Sequence, residues 1–238
     1  MQNRLIRHLP YEVDESSNRN HFYENHWKRI ALELLHKRAG DMSSWTILDY
    51  GCGRGETMKY ASQLGMVPYG MDADSECVAL ASAFGKTEVL DIANPEGQLP
   101  AKSFDVVACF HVLEHVDNPK QVLTMLGRAA RRYVLVAVPN LQKIPNIRKA
   151  HFFPEKCNEG HLQSWDHAHF LNLAENHCGL RVIDWANDAT IIPLLSELIR
   201  RTLGNRAVIR CETGLFKRLF PFWGISIIAL LEPVPTFS

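Results

Sequence analysis

The sequence has no surplus of either charge: 26 lysines and arginines are balanced by 26 aspartates and glutamates over 238 residues. That balance argues against a dedicated nucleic-acid binder, whose phosphate contacts need excess positive charge. Long apolar runs are also missing. The longest near the end, Ile225–Leu231, is broken by Ser226 and is too short to cross a bilayer. Met1–Asp14 carries Arg4, Arg7, Glu12 and Asp14 and no apolar stretch of the kind a signal peptide needs. The cysteines (Cys52, Cys77, Cys109, Cys157, Cys178, Cys211) are scattered and show no CxxC spacing. They read as reduced thiols, not a disulfide framework, and the expected location is the cytoplasm. There is no repeat, no low-complexity tract and no linker, so one domain over 1–238 is expected.

What is present is an alternation of helix and strand signals. Apolar residues recur at helical spacing over Asn25–Ala39, within an N-terminal helical region at 21–40, and Gly40 follows as a stop. Strand Thr46–Tyr50, helix Glu56–Leu64, strand Val67–Asp72, helix Ser75–Phe84 and strand Thr87–Leu90 come next. Phe104–Phe110 and Tyr133–Val138 are continuous apolar strands of the type buried in parallel sheets. Between them, Asn118-Pro119 starts a helix running to about Ala130. Helix Asp166–Cys178, with Phe170, Leu173, Ala174 and His177 on one face, precedes strands Leu180–Trp185 and Ile225–Leu231. Alternation of this kind implies an α/β fold: a doubly wound, mostly parallel sheet covered on both faces. Two stretches, 141–164 and 187–223, break the rhythm. The second holds an amphipathic helix (Ile191, Leu194, Leu195, Leu198, Ile199, Thr202) ended by Gly204 and is expected to be a lid.

Strand Thr46–Tyr50 runs into Gly51-Cys52-Gly53-Arg54-Gly55 and a helix follows. Glycines permit a tight turn and close backbone approach to a ligand, and the helix start presents N–H groups. A dinucleotide fingerprint would place its third glycine where Glu56 stands. Asp49 and Glu56 flank the turn and would repel a pyrophosphate, whereas S-adenosylmethionine (SAM) carries an ammonium and a sulfonium.

The segment ILDYGCGRGE resembles the first motif of class I SAM-dependent methyltransferases. Tyr69-Gly70-Met71-Asp72 is similar to the family's second strand, whose terminal acid holds the ribose hydroxyls. Leu90-Asp91-Ile92 is similar to its third-strand end beside the adenine, and Phe104–Pro119 to the fourth strand and loop of the small-molecule branch that includes quinone-biosynthesis enzymes. The likeness runs from about Trp27 to Pro139 and more loosely from Gly160 to Glu232. It implies a Rossmann-like sheet of seven strands, the last antiparallel and inserted between the fifth and sixth, with 45–140 as the cofactor-binding core. It also implies cofactor contacts from Asp49, Gly51, Cys52, Gly53, Asp72, Ala73, Asp91, Ile92, Phe110 and His111, the backbone N–H of Cys52 being its useful group.

The implied reaction is methyl transfer from SAM to a small acceptor, anionic or lipid-like, by in-line displacement at oxygen. Positioning alone can supply roughly 7–11 kcal/mol of such a barrier. Loss of a hydroxyl proton calls for a base, for which His111, His115 and His161 are the candidates, with Asn140 also placed for the acceptor. His151, Cys157, His161, His167 and His169 crowd one segment but follow no closed metal-site spacing, so no metal is expected. A monomer or homodimer with no nucleic-acid partner and no transmembrane segment completes the expectation. The insertions 141–164 and 187–223 are assigned to the acceptor, with Arg200 and Arg201 as its contacts. The rivals are a SAM-binding protein without transfer activity and a nicotinamide-dependent oxidoreductase.

Overall fold

The structure is a computed structural model that describes residues 19–142, 144 and 159–234. Along the chain run α1 (Arg19–Ala39), β1 (Thr46–Tyr50), α2 (Glu56–Gln63), β2 (Val67–Asp72), α3 (Ser75–Ala81) and β3 (Lys86–Val89). After these come α4 (Pro95–Gln98), β4 (Phe104–Phe110), α5 (Pro119–Ala129), β5 (Ala130–Pro139) and α6 (His167–Asn172). The last elements are β6 (Leu180–Asn187), α7 (Pro193–Arg210), α8 (Lys217–Leu219) and β7 (Ser226–Pro233). The seven strands form one sheet in the order β3-β2-β1-β4-β5-β7-β6. β1 to β5 pair in parallel, while β7 runs antiparallel to both β5 and β6, as the resemblance implied.

Alternate side chains of the central strands feed two cores, which explains why these strands read as unbroken apolar runs. On β4, Val106, Ala108 and Phe110 pack toward Ile30, Ala31, Leu34 and Leu35 of α1. Val107 and Cys109 point the other way, toward Leu123, Leu126 and Ala129 of α5 and Phe170 of α6. Leu35, Leu48 and Leu126 are fully buried; truncating any one to Ala would cost about 2–5 kcal/mol.

Four expectations need correction. Helix α1 starts at Arg19, not Asn25, because Phe22 and Tyr23 are buried against Ala189 and Ile209, residues far away in sequence. The helix after Ile192 does not end at Gly204. That glycine only kinks it (φ 81°, ψ 179°), and the chain continues helically through Arg210 into a wide π-turn at Cys211–Phe216. Val208, Glu212 and Phe216, four residues apart, are buried and hold this second half. Helix α6 likewise widens into a π-turn at Leu173–His177. The extra residue in that turn rotates His177 off the apolar face, and it is exposed, not in the core. The short helix α4 had no periodic signal; Asn94 caps its single turn by accepting from Gly97 N–H.

Candidate active site

Leaving β1, the backbone is left-handed at Gly51 (φ 79°), Gly53 (φ 51°) and Gly55 (φ 86°). A Cβ on Gly51 would lie 2.3 Å from Val112 Cγ2, whereas one on Gly53 would meet nothing within 4 Å. The turn therefore packs tightly at one glycine and leaves bare backbone facing open space at the other. Gly51 N–H and Cys52 N–H both donate to Met71 carbonyl oxygen (2.7 and 3.0 Å), and Gly53 N–H donates to Asp72 Oδ2 (2.8 Å). The Cys52 N–H is thus used within the protein and is not turned to a ligand, contrary to expectation. Its thiol is buried against Met58 and Ala81. Burial, helped by Asp49 and Asp72, pushes that thiol up to about 12, which removes it as a nucleophile.

A cavity of about 580 Å³ opens at the carboxyl ends of β1, β2 and β4, the usual ligand position in open α/β sheets. Gly51, Asp72, Ala73, Ile92, His111 and His115 line it. Asp72 also fixes the turn, its Oδ1 accepting from Asp74 N–H (2.9 Å), and each oxygen keeps a lone pair for a further donor. Sequence reasoning missed the opposite wall, Asn118, Gln121, Val122 and Met125, all in or next to α5. Their i, i+3, i+4, i+7 spacing was the available signal.

Several expected contacts are placed elsewhere. Asp91 turns into its own loop, where Oδ1 accepts from Ala93 N–H. Phe110 is buried and meets Trp27 edge-on at 5.1 Å, on the α1 side of the sheet. Asp49, fully buried, stands just before the glycine turn with Oδ2 unpartnered. Burial raises its carboxyl to about 7, against the opposing pulls of Lys28 and the Thr57 hydroxyl. Asp49 is not among the residues that line the cavity, but an orphaned buried carboxyl oxygen just before the glycine turn suits a cationic ligand such as SAM.

His111 is left-handed (φ 54°), which swings its ring off the end of β4 and onto Trp27, 4.8 Å away. Its Nδ1 lies 3.1 Å from Glu114 Oε1 and its Nε2 lies 3.3 Å from Ser226 Oγ, which donates to Asp188 Oδ2. Both nitrogens have protein partners, so His111 is held as a wall of the cavity. His115 differs. Its Nδ1 lies 2.8 Å from Gly160 carbonyl oxygen, an acceptor only, so Nδ1 carries the proton and Nε2 of the neutral ring keeps its lone pair. Glu114 carbonyl oxygen accepts from Leu162 and Gln163 N–H, which brings His161 to His115 with ring centroids 4.9 Å apart. Donor atoms of Glu114, His115 and His161 lie within 4.8 Å of one another, and buried Glu114 has Oε2 unpartnered. This group has the chemistry to hold a proton or a divalent cation.

Asn140 is not turned to the cavity; its amide donates to the carbonyls of Phe222 (3.0 Å) and Gly224 (2.9 Å). No residue of 187–223 lines the cavity. Leu194, Leu195 and Leu198, read from the sequence as a covering face, are exposed. Arg200 and Arg201 bind Glu197. His151, Cys157 and most of 141–164 lie outside the described residues. Of the other segment histidines, His169 binds Asp166 at the start of α6, and His167 packs against Trp185 and Phe222.

A family model described as a methyltransferase domain matches residues 17–184. The chain belongs to this methyltransferase family. It is a SAM-dependent class I methyltransferase, which removes the nicotinamide alternative. Among curated relatives, the methyltransferase is 24% identical over 162 residues to the ubiquinone biosynthesis O-methyltransferase of Haemophilus ducreyi, covering 57% of this chain and 69% of that one. The Hahella chejuensis protein of the same name is 29% identical over 112 residues, and there the match covers 45% of the relative. Magnesium protoporphyrin IX methyltransferase from Synechocystis, solved with bound S-adenosylhomocysteine, superposes with a TM-score of 0.61 at 16% identity, over 98% of this chain and 93% of that one. A SAM-dependent methyltransferase from Archaeoglobus fulgidus gives 0.58 at 16% identity, over 90% and 99%. Likeness at such identity establishes the fold. No helix among the described residues is long and apolar enough to cross a membrane.

Proposed function

We propose that the methyltransferase acts on a hydroxyl of a small acceptor, with His115 as the base. The observation that carries this reading is the His115 Nδ1 contact with Gly160 carbonyl oxygen, which leaves a basic Nε2 on a cavity-lining side chain. The relatives named as ubiquinone biosynthesis O-methyltransferases support oxygen as the methylated atom. SAM supplies an electrophilic methyl group on a sulfonium. Asp72 holds the ribose hydroxyls, Ala73 and Ile92 flank the adenine, and Asp49 offers its orphaned oxygen to the cationic end. The acceptor oxygen attacks in line: an O–CH3 bond forms, the S–CH3 bond breaks, and the hydroxyl proton passes to His115 Nε2. The buried Glu114 carboxylate and His161 next to it stabilise the imidazolium that results. Segment 159–163, pinned to Glu114, borders the acceptor.

The test is transfer of label from methyl-labelled SAM to a panel of phenolic and aliphatic hydroxyl compounds, with the methylated atom identified by mass spectrometry. His115→Ala should lower kcat roughly 100- to 10,000-fold and keep SAM affinity. Methylation at nitrogen or sulfur, or an unchanged kcat in that variant, defeats the reading. SAM binding with no transfer to any acceptor returns the chain to a binding role.

A further inference from the structure

The first half of α7 is inside out for a helix on a water-soluble surface. Its fully buried side chain is Ser196 (2% exposed), while Leu194, Leu195 and Leu198 are 49%, 41% and 58% exposed. Leu203, just before the kink at Gly204, is 70% exposed; beyond the kink Val208, Ile209 and Phe216 are buried, but Leu215 (57%), Leu219 (61%), Phe220 and Phe222 are exposed. Scattered exposed leucines are ordinary and occur elsewhere in the chain; their concentration in one segment marks a contact surface.

The charge around this face is one-sided. Residues 193–222 carry Arg200, Arg201, Arg206, Arg210, Lys217 and Arg218 against Glu197 and Glu212. Glu212 is fully buried, and Glu197 is occupied by Arg200 and Arg201. Arg206, Arg210 and Arg218 are exposed and have no ion pair among the described residues. The segment is held by residues that follow β6 and β5: Thr190 Oγ donates to Phe220 carbonyl oxygen (3.1 Å), and Asn140, at the carboxyl end of β5, donates to Phe222 carbonyl oxygen.

We propose that residues 193–222 seat the enzyme on an anionic lipid bilayer, with leucines and phenylalanines in the headgroup–acyl boundary and arginines on the lipid phosphates. Exposed apolar side chains interspersed with cations along one segment are the composition that binds such an interface. A second copy is a poor occupant. In a two-fold contact the same patch faces itself, and each set of arginines would meet its own like charges. The inference goes beyond hydroxyl methylation and stands without it, since its readout is binding, not turnover.

The test is co-sedimentation of the full chain with phosphatidylcholine vesicles, with and without phosphatidylglycerol. Binding is expected to the anionic vesicles, to weaken as salt rises, and to be lost from pure phosphatidylcholine. Leu198→Glu with Leu203→Glu should weaken it at least about tenfold, as should Arg206→Glu with Arg210→Glu and Arg218→Glu. SAM affinity and circular dichroism should match the parent in both variants, since no residue changed lines the cavity. Failure to bind anionic vesicles, equal binding to both vesicle types, or parental binding by the folded variants overturns the proposal. So does a dimer in light scattering that the leucine variant dissociates, which would assign the face to self-association.

Discussion

Asp49 is expected to make SAM binding depend on pH. Buried with Oδ2 unpartnered, its carboxyl titrates at about 7 instead of near 3.8, because burial penalises the charge more than Lys28 and Thr57 relieve it. If the cationic end of SAM binds the ionised form, binding expels the proton. Affinity then falls up to tenfold per pH unit below the titration point, and roughly eightfold between about pH 7.5 and about pH 6. The sign for the ligand-free protein is opposite. The unfolded chain ionises Asp49 near its ordinary value while the folded chain keeps the proton to about 7, so stability falls as pH rises through that window. Asp49→Asn keeps the volume but cannot ionise. It should flatten the pH dependence of SAM binding, weaken binding at about pH 7.5, and stabilise the ligand-free protein above the window by on the order of 4 kcal/mol. Calorimetry at both pH values, in buffers of different ionisation enthalpy, reads affinity and proton release together. Equal affinity at both pH values with no proton exchange, or a parental slope in Asp49→Asn, would refute the reasoning.

Gly51→Val should abolish SAM binding in calorimetry, because its φ of 79° is hostile to a β-branched residue and even a Cβ meets Val112 at 2.3 Å. Asp72→Ala should lower SAM affinity by about 1.5–3 kcal/mol, with a melting curve taken alongside because Asp72 also holds Gly53 N–H. Dialysis against EDTA should leave turnover unchanged if His115 is the base. Loss of turnover restored by Mg2+ or Mn2+ would instead make Glu114, His115 and His161 ligands and end the base assignment.

The sheet was legible because each central strand is apolar on both faces and Gly40, Gly65 and the Asn118-Pro119 pair mark helix boundaries. Part of the cavity wall was legible because Gly51, Asp72, Ala73 and Ile92 are fixed by their places at strand ends, and these four do line the cavity. What failed was orientation. Neither the use of the Cys52 N–H by Met71 carbonyl oxygen nor the turn of Asp91 into its own loop leaves a trace in residue order. Periodicity located the leucine stripe of α7 but could not tell which side faces water, since an apolar face and its burial are separate facts. The π-turns at Leu173–His177 and Cys211–Phe216 broke the 3.6-residue count on which face assignments rest.

Because β7 lies between β5 and β6, the sheet is completed out of chain order. During synthesis, every other strand emerges before Ser226–Pro233 exists. Until then β5 presents an unpaired edge of largely apolar character, the kind of surface that recruits other nascent chains. A stop just before Ser226 would therefore release a chain with nearly all its core residues and a sheet lacking the strand that joins β5 to β6.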